Sequence, residues 1–345
     1  MSQLRPLILS SVVLALGLCV FGLKVSDPPG TRMKTFADSF LSTLDEKQKA
    51  AAVVPYESDK RVQWHFIPMD NRKGAVLREM NDAQRSAALR LVRAALSEAG
   101  YDKTNKIMSL EGVLRQLEGE GGRNERDPNK YYVTIFGTPD NDNAWGLSFE
   151  GHHLSLNFVC RGGKIVDSTP QFFAANPATI KDEVQGPLSK GTRVLRDEED
   201  LAFELVNSLT DNKRTLAMIA EKAPKELRFA GEAQPDVGEP EGISFRSLNS
   251  DQRKLLQQLV HVYTDAAAGT VSKERREQIR TDGWSDVHFA WAGATEPGIG
   301  HYYRIRGKRF LIELVNTQAD AAGNPANHIH SVYRDLTGDF DLPIE

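Results

Sequence analysis

Cysteine is scarce in this 345-residue chain, which contains only two. Cys19 lies in an apolar N-terminal run, so Cys160 is alone in the rest of the sequence and no intrachain disulfide is expected there. The folded part must therefore be stabilised by packing. Cys160 ends the apolar stretch LSLNFVC, where a buried, unreactive thiol is expected rather than a nucleophile.

An excess of basic residues is also missing, since 43 Lys and Arg face 47 Asp and Glu. A nucleic-acid partner therefore has no electrostatic support, and none is expected. The sequence has no Walker A loop, no G-x-G-x-x-G after a strand, no H-E-x-x-H, no G-x-S-x-G and no pair of cysteines spaced for zinc. These absences disfavour a nucleotide-dependent enzyme, a zincin and an α/β-hydrolase.

One long apolar run is present, and it lies at the N-terminus. Arg5 is followed by 18 uncharged, mostly apolar residues, 6–23, and then by Lys24. This pattern is typical of a secretory signal, and its length also approaches the roughly 20 residues that span a bilayer. We therefore expect an exported protein that is periplasmic, extracellular or anchored facing outward. Residues 1–30 would be a signal peptide or membrane anchor with a linker, and only this segment would contact a membrane.

The remaining sequence repeats its own patterns. A polar N-cap, a Gln or Lys, a basic residue and an apolar helix recur four times, with Asp45, Asn81, Thr210 and Asn249 as the N-caps. Two β-rich stretches, 131–158 and 287–314, also correspond: Gly137 and Gly293 are 156 residues apart, as are Gly151 and Gly307. Both stretches predict β-hairpins.

These repeats predict an α+β fold in which two internally duplicated helix-plus-antiparallel-sheet repeats form one module. The length of the chain, about twice the roughly 150 residues of a typical domain, agrees with a duplicated unit. Short strands are expected at 64–66 and 227–229. The expected divisions are a first repeat at 31–160, a connection at 161–200, a second repeat at 201–315 and a C-terminal tail at 316–345 that carries an H-x-H strand.

The H-x-H pattern at 328–330 carries the sharpest chemical signal. Side chains alternate along a strand, so His328 and His330 would share one face and could bind one cation together. The same geometry would let one histidine act as a general base while the other binds an oxyanion. The structural alternative is a solvated strand whose histidines stack with Tyr333.

A second histidine cluster lies in the sequence EGHHLSLN at 150–157. Alternation would place His153 in a polar cleft, on the same face as Ser155 and Asn157. His152 would share the opposite face with leucines, as a core histidine whose second nitrogen is held by Glu150.

Three functional hypotheses follow from these clusters. In the leading one, a divalent ion (zinc, copper or iron) is bound by His153, His328 and His330, with Glu150 or Asp320 as a carboxylate ligand or general base. Zinc would support hydrolysis, and copper or iron would support oxidation. Imidazole nitrogens within about 4 Å of one another would favour this site, and a separation above about 10 Å would exclude it.

The second hypothesis is a metal-free ligand-binding or scaffold protein. Exposed aromatic side chains at the mouth of the sheet would then stack on a sugar, a peptide or another small molecule; the candidates are Trp145, Trp291, Tyr302 and Tyr303. The third is a metal-free acid–base enzyme in which His153 or His330 works with Arg334 or Arg304 as an anion clamp.

Seven stretches together resemble the bacterial domain-of-unknown-function family numbered 3500. They are WHFIP at 64–68, YYVTIFGTP at 131–139, WGLSFEGHHLSLNF at 145–158, STPQFFAANP at 168–177, FAWAG at 289–293, HYYRIRGKRFLIE at 301–313 and NHIHSVYRD at 327–335. The resemblance covers most of the chain after about residue 36 and implies one continuous module. It implies no activity, substrate or catalytic residue.

Overall fold

The structure is a computed structural model that describes residues 27–343. The apolar run expected to direct export lies outside these residues. Within the described range, no helix combines the length and the apolar character needed to cross a membrane.

Eight α-helices form in the described residues, and the four predicted N-caps each precede one of them. The helices are α1 Pro29–Thr43, α2 Glu46–Ala52, α3 Asp82–Ala95, α4 Glu98–Glu118, α5 Arg196–Asn207, α6 Asp211–Ala217, α7 Ser250–Thr264 and α8 Gly269–Asp282. Asp45, Asn81 and Asn249 each accept a hydrogen bond from the third helical residue, a glutamine whose side chain accepts from the cap backbone in return. Thr210 occupies the same position before α6, but its side chain makes no capping hydrogen bond.

Thirteen strands of the described chain form one mixed sheet. They are β1 Val53–Val54, β2 Ala75–Val76, β3 Tyr132–Phe136, β4 Trp145–Gly151, β5 Leu154–Arg161, β6 Lys164–Asp167, β7 Gln171–Ala175, β8 Met218–Ala220, β9 Ile243–Ser244, β10 His288–Gly293, β11 His301–Arg306, β12 Phe310–Gln318 and β13 His328–Asp335. The order is β1-β3-β4-β5-β7-β13-β12-β11-β10-β8, with β2, β6 and β9 paired to β3, β5 and β10. The two end pairs, β1 with β3 and β8 with β10, are parallel, whereas the other pairs are antiparallel.

The helices cover one face of this sheet and form the main core with it. Alternate strand residues such as Leu156, Phe173 and Ile312 pack there against helical residues such as Leu91 and Leu256. The order helix, helix, short strand, short strand, helix, helix and then a set of long strands occurs twice along the chain, from α1 to β7 and from α5 to β13.

The opposite face of the sheet is covered by irregular segments. Trp64, Phe66 and Leu227 pack there in a smaller apolar cluster with Phe172 and Phe340. The prediction of strands at 64–66 and 227–229 is therefore wrong. These apolar residues are buried because they cover the sheet, and the backbone that carries them does not pair with a strand.

The four aromatic side chains expected to be exposed at the sheet mouth are buried, with 0–1% of their surface accessible: Trp145, Trp291, Tyr302 and Tyr303. Trp145, Trp291 and Tyr303 belong to the main core under the helices, and Tyr302 belongs to the smaller cluster on the opposite face. The segments 161–200 and 316–345, expected to be a connection and a tail, contribute β7 and β13, which pair with each other inside the sheet.

The helices of the two halves meet at a close backbone contact near the start of α4. Leu96 forms an isolated bridge with Ala267, and the Ser97 amide donates to the Ala266 carbonyl oxygen. A Cβ at Gly100 would lie 2.1 Å from that same oxygen, so only glycine fits there without movement.

We therefore predict opposite effects for two glycine substitutions in α4. Gly100→Ala should lower the free energy of unfolding by about 1–3 kcal/mol, because the added methyl overpacks the contact with Ala266. Gly112→Ala is the matched control, since a Cβ there meets nothing within 4 Å, and it should raise stability by about 0.4–1 kcal/mol. Urea unfolding followed by circular dichroism measures both. Equal effects of the two substitutions would contradict the close contact.

Candidate metal centre

Three histidines meet on the sheet face that the irregular segments cover. His328 and His330 lie on β13 and project to this face, as their spacing predicts. His153 lies in the turn between β4 and β5 with a positive φ of 63°. The His153 amide donates to the Phe66 carbonyl oxygen, and its own carbonyl accepts from Ala174 on β7, so both neighbours hold this turn against the sheet.

The ring nitrogens of these three side chains converge. The Nε2 atoms of His153 and His328 are 2.9 Å apart, and those of His328 and His330 are also 2.9 Å apart. One ring nitrogen from each residue lies within 4.8 Å of the others. Two of the nitrogen pairs are therefore well inside the roughly 4 Å that favours a shared metal site.

The other ring nitrogen of His330 faces a carboxylate. His330 Nδ1 lies 2.8 Å from both carboxylate oxygens of Glu226. An ionised carboxylate only accepts hydrogen bonds, so a proton on Nδ1 faces Glu226, and Nε2 is the ring nitrogen that points to the other histidines and could bind a metal. A metal-binding histidine is commonly oriented by a carboxylate in this way.

The second nitrogen of His328 faces an amide. His328 Nδ1 lies 3.3 Å from Asn176 Nδ2, whereas Asn176 Oδ1 is buried and has no hydrogen-bond partner. Turning the Asn176 amide by half a turn places Oδ1 beside Nδ1, where it accepts the Nδ1 proton and is no longer unpaired. The Nε2 atom of His328 then also carries a lone pair.

With both rings neutral and both Nδ1 atoms protonated, the Nε2 lone pairs of His328 and His330 face each other across 2.9 Å, and a cation between them would make this contact favourable. Burial, together with the neighbouring His330, lowers the pKa of His328 to about 2, and burial also holds the pKa of His153 well below its usual range. The arrangement is suited to neutral imidazoles around a metal ion.

Aromatic rings enclose the cluster. The Phe66 ring meets the His330 ring edge-on at 4.9 Å between centroids and stacks on Phe172 at 4.0 Å. His153 and His330 are 3% and 5% exposed, and His328 is only half-buried. An ion at this position would be shielded on the side of the sheet and approachable on the side of His328.

His152 is half-buried and lies beside a cavity, so it is not the core histidine that was expected, and its partner also differs from the one expected. Its Nδ1 hydrogen-bonds to Glu111 of α4 and lies 3.1 Å from Arg126, and its ring stacks on His153 with 3.7 Å between centroids. The expectation that Glu150 holds His152 is wrong, because Glu150 projects to the opposite side of the hairpin and pairs with Lys73 and Ser155.

The structure does not bring the other three expected site residues into hydrogen-bond contact with the histidines. Glu150 is paired as described, and Asp320 accepts hydrogen bonds from Asn324 and Asn327 in its own loop. Arg334 is 1% exposed and donates to Asp339 and to the backbone carbonyls of the segment 229–233. Within residues 27–343 these contacts give Glu150, Asp320 and Arg334 structural roles. Their catalytic roles remain predictions.

Sequence reasoning missed the groups that orient the histidines. Glu226, Asn176 and Glu111 lie 104, 152 and 41 residues from the histidines they contact, so no local spacing could reveal them. The one available signal was that Asn176 falls inside the stretch STPQFFAANP, which contributes to the family resemblance.

The donor set fits a transition metal. Three neutral imidazoles are ligands that zinc, copper and iron accept, and three protein ligands leave room for water or substrate on a tetrahedral or larger coordination sphere.

A family model described as "Protein of unknown function (DUF3500)" matches residues 27–342, and the chain belongs to this family. This confirms the family resemblance stated from the sequence. Neither the curated proteins nor the solved structures give a match to the chain.

The contact between Glu226 and His330 gives a direct test. Glu226→Gln should weaken zinc binding by about 10–100-fold, because a neutral amide orients the imidazole less firmly and makes it a weaker base. Glu221→Gln is the control, since Glu221 is exposed in the same segment of the chain. Competition with a chromophoric chelator measures both affinities. Equal zinc affinities for the two variants would show that Glu226 does not support the site.

Proposed function

We propose that this member of the DUF3500 family is an exported, metal-dependent hydrolase in which His153, His328 and His330 bind one divalent ion. One observation carries the proposal: the Nε2 atom of buried His330 and that of His153 each lie 2.9 Å from the Nε2 atom of His328, so three ring nitrogens converge on one point. A bound cation is the simplest group that makes this buried arrangement favourable.

Hydrolysis is the reaction that the ligand set supports best. Three neutral ligands leave the full charge of the ion uncompensated, and a zinc ion held in this way supplies a hydroxide nucleophile near pH 7. The residues of the chain have separate tasks around it. Glu226 and Asn176 fix the tautomers of His330 and His328, and Phe66 and Phe172 exclude water from the side of the sheet.

Two alternatives from the sequence remain distinguishable by experiment. Copper or iron at the same three nitrogens would support an oxidoreductase. A metal-free ligand-binding or scaffold protein would need another explanation for the convergent histidines, and the burial of Trp145, Trp291, Tyr302 and Tyr303 removes the aromatic surface first expected for it.

We also propose an exported location and an internal duplication. The apolar run at 6–23 between Arg5 and Lys24 supports export through a signal peptide or anchor. The recurring order of elements and the capping glutamines of α3 and α7 support duplication. Gln84 donates to the Thr43 carbonyl at the end of α1, and Gln252 donates to the Ser208 carbonyl at the end of α5.

The function is tested with the full-length chain, reconstituted with zinc and assayed for hydrolysis of p-nitrophenyl acetate while zinc is counted by elemental analysis. We expect about one zinc per chain and a rate that a chelator abolishes and zinc restores. The double variant His328→Ala/His330→Ala should lose the metal and lower the rate by at least about tenfold.

The control double variant is His261→Ala/His288→Ala, which removes two histidines that lie on α7 and β10. It should keep both metal and rate. No zinc in the wild-type protein after reconstitution would contradict the metal site. Bound zinc without hydrolysis, or selective retention of copper or iron, would contradict the hydrolase and leave the oxidoreductase.

A further inference from the structure

A cavity lies directly beside the candidate metal centre. Its volume is about 380 Å³, within the usual range for small-molecule sites, and it is lined by the segment 68–72, the loop 123–131, Glu111 and His152. The His152 ring that lines this cavity also stacks on the ring of His153 with 3.7 Å between centroids. One imidazole ring therefore separates the cavity from a candidate metal ligand.

Most of the charges on the cavity wall already have partners. Lys130 lies 3.2 Å from Glu125, and Arg126 forms a two-pronged pair with Glu118. Glu111 holds His152. These groups shape the cavity and leave little net charge for a ligand.

Arg72 is different because its guanidinium donates only to backbone carbonyls, those of His65 and Ile67. Within residues 27–343 no carboxylate lies within 4.0 Å of it. Burial lowers the pKa of Arg72, because removing a cation from water is costly, and the charge of Glu150 offsets only part of this effect. The guanidinium has five N–H groups in a planar fork, so some are still available to a ligand.

The charges that line the cavity balance one another. Arg123, exposed at the rim, also has no carboxylate partner among the described residues. Four acids, Asp70, Glu111, Glu125 and Asp127, line the cavity together with four bases, Arg72, Arg123, Arg126 and Lys130, so the lining carries no excess charge. The four carboxylates repel a doubly charged phosphate more than the single carboxylate that the Arg72 guanidinium can bind.

We propose that this cavity binds the carboxylate group of a small organic acid, with Arg72 as its principal contact and Arg123 at the entrance. The inference rests on the proposed function in one respect: it makes the cavity the substrate pocket of the metal site, so that the substrate is a carboxylate-bearing molecule. The binding itself needs only the residues that line the cavity.

Butyrate is the probe, with butyramide as its neutral counterpart of equal size, and binding is followed by NMR titration of the protein. The wild-type chain should bind butyrate at least about tenfold more tightly than butyramide, because charge-assisted hydrogen bonds to the guanidinium are lost with the charge. Arg72→Gln should remove this preference, and Arg123→Gln should reduce it. Arg90→Gln on the exposed surface of α3 is the control and should keep it.

A thermal unfolding midpoint for each variant separates lost binding from lost folding, and Arg123→Gln, on an exposed loop residue, provides a second variant if Arg72→Gln does not fold. Equal binding of butyrate and butyramide by the wild-type chain, or an unchanged preference in a folded Arg72→Gln variant, would overturn the proposal. Tighter binding of phosphate than of butyrate would overturn the assignment to a carboxylate.

The double variant His328→Ala/His330→Ala keeps the two failures apart. Neither residue lines the cavity, so the variant should still prefer butyrate after it has lost the metal. Butyrate binding without metal in the wild-type chain would contradict the proposed function alone. Bound metal without butyrate binding would contradict the cavity alone.

Discussion

The antiparallel pairing of β7 with β13 is the constraint on which the candidate site depends. It joins the strands of the two halves of the chain into one sheet and sets His330 opposite Ala174. The amide of the same Ala174 donates to the carbonyl of His153, so one residue fixes both the strand that carries His330 and the turn that carries His153. A shift of this register by one residue would turn His328 and His330 to the helix-covered face.

The site also depends on which face of the sheet it occupies. The helix-covered face is packed with apolar side chains, whereas the opposite face carries buried polar and charged groups that the irregular segments cover. Leaving one buried polar atom unpaired costs about 1–3 kcal/mol, so these segments must supply partners as well as apolar contacts. Glu226 does so for His330, and the carbonyls of 229–233 do so for Arg334. A metal ion at the histidines would stabilise the folded chain further, because the unfolded chain lacks the assembled site.

Much of this arrangement was predictable from the sequence, and the reasons are physical. The N-caps Asp45, Asn81, Thr210 and Asn249 are local signals, as is the alternation that placed His328 and His330 on one face. The groups that orient the histidines were not predictable, because Glu226 and Asn176 reach them from irregular segments far away in the sequence. Triplets with a polar residue between two apolar ones, such as 64–66, were misread as strands, since burial by a covering segment and burial within a sheet leave the same local pattern.

The most direct measurement is X-ray absorption spectroscopy of the zinc-reconstituted chain at the zinc edge. The geometry of the three histidines predicts a first shell of three imidazole nitrogens and one further light atom, with zinc–nitrogen distances of about 2.0–2.1 Å. The atoms of three imidazole rings should contribute the outer-shell scattering. The same spectrum after His153→Ala should show one imidazole fewer. A first shell of oxygen atoms only, or a spectrum that His153→Ala leaves unchanged, would show that the metal binds elsewhere and that the convergent histidines are not a metal centre.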